Sequence, residues 1–245
     1  MQKNQPVVIH VPHASVCIPP EEQPFFVTHD LSREIAVMTD HYCDDLYNTG
    51  DTMIRFPISR LVCDPERFRE DADEGMARIG MGAVYTSCSD GSELKHISRL
   101  HREEILSRYY DPHHQRLERA VEEKLRLFGT CLLIDGHSFH DVPLPYESDQ
   151  NTPRPDICIG TDAYHTPDDL TDCLCRFFKR RGYSVAIDRP FAGSLVPMKY
   201  YSRDRRVRSV MIELNRGLYM DHGLNRTSDY QKIKEDIAEA ISHIS

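Results

Sequence analysis

The sequence predicts an α/β fold in which a mostly parallel sheet is covered by helices on both faces. Short apolar runs rich in β-branched residues alternate along the chain with longer segments whose apolar residues recur at helical spacing. At 245 residues the chain is long enough for one such core, and we expect residues 1–245 to form a single domain.

The apolar runs are predicted to be buried strands because each is short and is bounded by polar or turn-forming residues. They are Pro6–Val11, Thr52–Phe56, Leu61–Cys63, Thr130–Ile134, Ile157–Gly160, Ser184–Ile187 and Ser209–Leu214.

Helical periodicity predicts the segments between the strands. The predicted helices are Asp30–Tyr47, Ile97–Phe128 (two helices, or one kinked at Asp111–Pro112), Thr166–Arg181 and Ser228–Ile244. Two long polar segments, Glu66–Gly91 and Asp141–Pro155, are predicted to be lids or substrate-binding loops.

Composition excludes several classes of function. A formal charge of -9 argues against a general nucleic-acid binder, although a small anionic substrate remains compatible with it. No apolar run approaches the roughly 20 residues of a membrane span, and we expect a cytoplasmic protein. The eight cysteines are scattered without a CxxC pair, which favours core packing over a thiolate zinc site or a cysteine nucleophile.

Two histidines follow predicted strands, where an open α/β sheet binds its ligands. His13 follows VVIHVP, and His137 lies in IDGHS. Imidazole is the commonest zinc ligand, so the pair indicates a metal site, and Asp135 could orient His137. His10 is interpreted as structural, and the remaining histidines as surface or packing residues, except that His140 could line the same mouth as His137.

A catalytic zinc site needs a third protein ligand, which we expect to be a carboxylate. The segment TDHYCDDLY offers Asp40 and Asp44, spaced four apart and therefore on one face of the predicted helix. Which of the two faces the cleft depends on the direction of the helix.

Glu213 lies between Ile212 and Leu214 in the last predicted strand. A buried carboxylate without a partner is costly, so Glu213 is either paired with an arginine such as Arg216 or is functional. Beside a metal it could act as general base and then as general acid.

Arginines near these positions could grip a substrate carboxylate through bidentate hydrogen bonds. Arg60, Arg67 and Arg216 are the candidates, together with Ser138 beside His137. For Arg60 and Arg67, pairing with Asp64 or Asp44 is an equally open interpretation.

Eight sequence blocks, taken in order, resemble the N-formylglutamate amidohydrolase family and, more distantly, zinc carboxypeptidases. They are VPHAS, TDHYCDDLY, SRLVCDPERF, HREEILSRYYDPHHQRL, LLIDGHS, PDICIGT, RPFAGSLVPMKYY and SVMIELNRGLYMD.

The resemblance implies a three-layer α/β/α sandwich with a mixed sheet, a divalent metal such as Zn²⁺, and hydrolysis of the amide of a small acylated amino acid. It also implies that His13 and His137 are metal ligands, that Asp40 completes the set and that Glu213 is the base. Two positions depart from the relatives. Val16 stands where carboxypeptidases have a glutamate ligand, and Glu66 replaces the asparagine of the family's Asp-Leu-Asn-Arg motif.

Two further functions remain open. The chain could cut another acylated amino acid or a peptidoglycan-type amide, or it could be a relative that binds a ligand without catalysis. The joint presence of His13, His137 and Glu213 favours catalysis.

Overall fold

A computed structural model describes residues 6–245 of the chain, and residues 1–5 of the predicted domain lie outside this part. Six strands form one mixed sheet in the order β2-β1-β3-β6-β4-β5. Their bounds are Val7–Val11 (β1), Thr52–Arg55 (β2), Cys131–Phe139 (β3), Ile157–Gly160 (β4), Val185–Ile187 (β5) and Val207–Asn215 (β6). β1, β2, β3 and β6 are parallel, whereas β4 is antiparallel to β6 and carries β5 parallel to itself.

Helices cover both faces of this sheet, so the predicted α/β sandwich is confirmed. They are α1 (Leu31–Met38), α2 (Cys43–Leu46), α3 (Arg99–Ile105), α4 (Asp111–Phe128), α5 (Asp168–Arg180) and α6 (Tyr230–Ile244). Apolar residues of α2, α5 and α6 pack on one face, and those of α4 pack on the other. None of the helices within residues 6–245 is both long enough and apolar enough to cross a membrane.

The predicted strand Leu61–Cys63 is wrong, because these residues form a turn outside the sheet. The segment is fully buried, but its carbonyl groups bind a side chain instead of a neighbouring strand. The buried ammonium of Lys95 donates hydrogen bonds of 2.8 Å to the carbonyl oxygens of Leu61 and Val62. Periodicity cannot distinguish a buried strand from a buried turn when the run is this short.

The predicted helix Asp30–Tyr47 is interrupted, so the expectation that Asp40 and Asp44 share one helix face is wrong. α1 ends at Met38, and α2 begins at Cys43 after Tyr42 adopts a left-handed conformation with φ of 66°. The break allows the backbone N–H of Asp40 to donate to the carbonyl of His13 at 2.9 Å. Tertiary contact thus overrides helical periodicity here.

The segment from Ile97 to Phe128 forms two α-helices, which is one of the two predicted alternatives. A π-helical turn, Leu106–Tyr110, joins α3 directly to α4, and Pro112 lies in the first turn of α4.

β3 is longer than predicted, and His137 lies inside the strand instead of after it. Its pairing with β6 continues to Phe139, opposite Asn215. On its other side β1 ends at Val11. Among the residues that the structure describes, the last ones of β3 therefore have no strand partner on the β1 side, and the backbone N–H of Ser138 instead donates to Oδ2 of Asp40 at 3.3 Å.

Beneath this part of β3, Gly136 is covered by the ring of Tyr47. A Cβ atom at Gly136 would lie 2.8 Å from Cγ of Tyr47. The buried Tyr47 hydroxyl also donates to the carbonyl oxygen of Ile212 at 2.6 Å, which fixes the ring in place.

We expect Gly136→Ala to lower the free energy of unfolding by about 1–3 kcal/mol, because the added methyl group forces the ring away from the strand. Denaturant unfolding measures this change. Gly75→Ala is the matched control, since a Cβ atom there meets nothing within 4 Å. Equal stability of the two variants would show that the ring contact carries no strain.

Candidate active site

Strand register gathers four polar side chains on the sheet face covered by α4. His10 lies opposite Asp135 on the neighbouring strand, and His137 lies opposite Glu213. Because paired residues of parallel strands point to the same face, these side chains form two adjacent rows near the carboxyl ends. They adjoin a cavity of about 770 Å³, which Asp135, His137 and Glu213 line directly.

His13, Asp40 and His137 form a group whose ligand atoms lie within 4.8 Å of one another. Nδ1 of His137 lies 3.2 Å from Oδ2 of Asp40, and Nδ1 of His13 lies 3.6 Å from the same oxygen. Nδ1 of His13 is buried and has no hydrogen-bond partner. Two imidazoles, one carboxylate and an unsatisfied nitrogen fit the donor set of a catalytic zinc site.

His13 is oriented by Asp64, which sequence reasoning treated only as a partner for arginines. Nε2 of His13 donates to Oδ1 of Asp64 at 2.8 Å, so its other nitrogen faces Asp40. Arg60 and the hydroxyl of Tyr85 donate to the second oxygen of Asp64 at 2.8 and 2.6 Å. Burial alone would raise the pKa of Asp64, but the charges of Arg60 and His13 hold it well below its usual range.

Asp40 is held by Arg216, whose side chain is 7% exposed. Nη2 of Arg216 donates to Oδ1 of Asp40 at 2.9 Å, and Nε donates to the hydroxyl of Ser138 at 3.2 Å. Nη1 donates to the carbonyl of Val37 at 2.7 Å, so every nitrogen of the guanidinium has a partner within the protein. His140 adjoins the same guanidinium and lines the cavity.

Asp40 is consequently a charged ligand candidate. Burial alone would raise its pKa, but contacts with His13 and His137 and the charge of Arg216 hold it well below the usual range. Asp44, by contrast, lies on the surface and pairs with the exposed Arg55 at 3.1 Å. Asp44 is therefore not part of the site.

Glu213 is a buried carboxylate of a different kind. In residues 6–245 no ion pair to it is found, and its Oε2 atom is buried without a hydrogen bond. Burial raises its pKa to about 8, against the charge of His137, while the charge of Asp40 raises it further. The interpretation as a structural pair with Arg216 is not what the structure shows, because Arg216 binds Asp40.

Arg60 and Arg67 both line the cavity around Asp64. Arg60 is engaged by the Asp64 carboxylate, whereas the nearest carboxylate to Arg67 is Asp64 at 3.7 Å and its Nε has no hydrogen bond. Two guanidinium groups thus share one carboxylate at this wall of the cavity.

Sequence reasoning interpreted His10 as structural, noted Glu66 only as a departure from the family motif, and did not single out His113. Nδ1 of His10 lies 2.9 Å from Oδ1 of Asp135 and 3.1 Å from Oε1 of Glu66, and its Nε2 lies 2.8 Å from Nε2 of His113. Burial would lower the pKa of His10, but the hydrogen bond to Asp135 and the charge of Glu66 raise it to about 9. Side chains alternate between the two faces of a strand, so His10 points away from the face that carries Ile9. This is the only feature of the local sequence that indicates a role for His10 in the site.

An α/β fold with histidines and carboxylates lining a cavity at the carboxyl ends of parallel strands is typical of enzymes that act on small molecules. A family model of N-formylglutamate amidohydrolases matches residues 5–220. The chain belongs to the N-formylglutamate amidohydrolase family.

Solved structures share this fold. The N-formylglutamate amidohydrolase from Ralstonia eutropha JMP134 is 22% identical with a TM-score of 0.83, and the match covers 96% of this chain and 91% of that one. A gene product of Agrobacterium tumefaciens is 20% identical with a TM-score of 0.69, and the match covers 98% and 92% of the two chains. None of the curated proteins matches the chain.

The raised pKa of Glu213 predicts how stability depends on pH. In the unfolded chain this carboxyl ionises near pH 4.5, whereas the folded protein keeps the proton up to about pH 8. The contribution of the group to stability is therefore complete below pH 4.5 and is lost as the pH rises to about 8.

Glu213→Gln, which mimics the neutral carboxyl, should stabilise the chelator-treated protein by a few kcal/mol at pH 8 and by little at pH 4.5. Denaturant unfolding at a series of pH values measures the difference. A gain that is constant across this range would contradict the assignment.

Proposed function

We propose that the chain is a metal-dependent amidohydrolase that cleaves the amide bond of a small N-acyl amino acid similar to N-formylglutamate, with residues 1–245 as one catalytic domain. The observation that carries the proposal is the juxtaposition of the His13, Asp40 and His137 group with the unpaired, buried Glu213 on the neighbouring strand. Membership of the family supports the reaction class.

Zn²⁺ or another divalent cation fits the three proposed ligands. The donor set of two imidazoles and one carboxylate leaves a position for water or substrate. Asp64 fixes the ring orientation of His13, and Asp135 lies 3.1 Å from Nε2 of His137, which is how carboxylates orient metal-binding histidines. When bound, the cation would polarise the attacking water and the amide carbonyl.

Glu213 supplies the proton transfers in this proposal. Its carboxylate takes a proton from the water that attacks the carbonyl carbon, and the resulting carboxylic acid donates that proton to the leaving nitrogen. The C–N bond then breaks to give a free acid and an amino acid. A pKa raised to about 8 suits both steps, because the group can hold and release a proton near neutral pH.

A substrate carboxylate would bind at the wall that Arg60 and Arg67 line. Arg67 is the principal candidate because, within the described part of the chain, its Nε has no hydrogen bond and its nearest carboxylate, Asp64, lies 3.7 Å away and is already bound by Arg60. Arg216 and Ser138 hold Asp40 through hydrogen bonds, so we assign them to positioning of the metal ligand as well as to the cavity wall.

A second candidate is hydrolysis of a larger acylated amino acid. Glu66 places a carboxylate in the cavity wall where the family has an amide, and the cavity of about 770 Å³ has room for more than a formyl group on an amino acid. A panel of N-acyl amino acids with formyl, acetyl and longer acyl groups separates the two candidates.

Release of the free acid from N-formylglutamate, with added Zn²⁺ and after chelation, tests the proposed reaction directly. Glu213→Gln should reduce kcat by about a hundredfold to ten-thousandfold while metal remains bound. Full turnover in this variant would exclude Glu213 as the base, and absence of turnover in the wild type with every amide tested would favour a non-catalytic binding protein.

Arg67→Gln should raise KM for an acyl amino acid about tenfold or more with a small effect on kcat, because a bidentate contact to the substrate carboxylate is lost. Arg69→Gln is the matched control. Arg69 also lines the cavity, but it is already paired with Asp111 and Glu103 at 3.1 Å. Equal values of KM in the two variants would remove Arg67 from the binding site.

A further inference from the structure

A second group of potential ligands lies beside the first. His10, Glu66 and Asp135 place one ligand atom each within 4.8 Å of one another. His10 and Asp135 are fully buried, and the side chain of Glu66 is 14% exposed where it borders the cavity. The three residues come from β1, the loop after β2, and β3.

His10 and Asp135 are each held on one side by a hydrogen bond to a residue outside the group. Nε2 of His10 lies 2.8 Å from Nε2 of His113, which leaves Nδ1 directed at the two carboxylates. Oδ2 of Asp135 accepts a hydrogen bond from the backbone N–H of Leu195 at 3.1 Å, and Oδ1 lies 2.9 Å from Nδ1 of His10 and 3.1 Å from Nε2 of His137. A ligating histidine whose second nitrogen is hydrogen-bonded, next to an anchored carboxylate, is the arrangement found around bound metals.

Two buried atoms at this position lack hydrogen bonds. Oε1 of Glu66 has none, although it lies 3.1 Å from His10. Nε2 of His137, whose side chain is 5% exposed, also has none and points at the group, 3.1 Å from Asp135 and 4.0 Å from Glu66. Unsatisfied buried polar atoms of this kind call for an occupant.

We propose that His10, Glu66 and Asp135 form a second divalent-cation site, separate from the one formed by His13, Asp40 and His137. A mixed nitrogen and oxygen donor set suits Zn²⁺, Mn²⁺ or Fe²⁺ better than Ca²⁺. The cavity gives the ion a path to the site, since Glu66 and Asp135 both line it. The inference rests on the proposed function because Asp135 links the second site to His137 of the first.

A proton on Nδ1 of His10 is the alternative occupant of the same position. It would convert the group into an ion triad of one imidazolium and two carboxylates. The two occupants differ in one measurable quantity, which is the number of metal ions bound per chain.

The test is metal stoichiometry of the full chain. Chelator-treated protein is equilibrated with Zn²⁺ alone, and in parallel with Mn²⁺ alone, and bound metal is measured by elemental analysis after equilibrium dialysis. We expect two equivalents in the wild type. Glu66→Gln should bind one, because a carboxylate ligand is lost at a partly exposed position where the fold is not at risk.

Three variants assign the ions to their sites. Asp40→Asn should lose the first ion and keep the second, whereas Asp44→Asn, a surface control, should keep both. Glu118 lines the same cavity and pairs with Lys199, so Glu118→Gln is the matched control for Glu66→Gln. This variant should also bind two equivalents of metal.

The second site is overturned if the wild type binds one equivalent of metal, and if this ion is kept in Glu66→Gln and lost in Asp40→Asn. The proposed function would then still stand. Two equivalents that persist in Glu66→Gln place the additional ion elsewhere and also overturn the second site. No bound metal in the wild type contradicts the proposed function together with this inference.

Discussion

Burial of the Asp40 carboxylate is the constraint on which the site depends. A charged carboxylate inside a protein costs several kcal/mol unless its oxygens are paired. Here one oxygen faces His13 and His137 and the other accepts a hydrogen bond from Arg216. The helix is interrupted between α1 and α2, where Asp40 lies. The contacts of the buried carboxylate therefore outweigh the helical preference of the local sequence.

The sheet supplies the rest of the arrangement through its register. Parallel pairing of β1 with β3 and of β3 with β6 sets His10 beside Asp135 and His137 beside Glu213. Early termination of β1 opens space next to the last residues of β3. The pairing of the same strands therefore positions both His137 beside Glu213 and the adjoining group around His10.

Loops complete the site by carrying charge into it. Asp64, Glu66 and Arg67 lie in a segment without regular structure, whose preceding turn is fixed by the buried ammonium of Lys95. Burial lowers the pKa of Lys95 to about 7, and its side-chain nitrogen donates hydrogen bonds to two backbone carbonyl oxygens. The pKa values of Asp64 and Glu213 shift in opposite directions because the charges of Arg60 and His13 outweigh the burial of Asp64, whereas burial dominates at Glu213.

The sequence by itself determined the α/β class. It placed five of the six strands to within two residues at each end, and only β3 was predicted too short. It also supplied the candidate site residues His13, Asp40, His137, Glu213, Arg60 and Arg67. These came from local signals, because strand and helix periods and polar residues after apolar runs are properties of neighbouring positions. Family motifs added the reaction class.

Only the tertiary structure decided that Asp40 lies beside the histidines while Asp44 lies on the surface, and that Leu61–Cys63 is a turn. It alone brought His10 and Asp135, which are 125 positions apart, within 2.9 Å of each other. Such contacts depend on strand order and on the balance of buried charge, and neither is encoded in the spacing of residues along the chain.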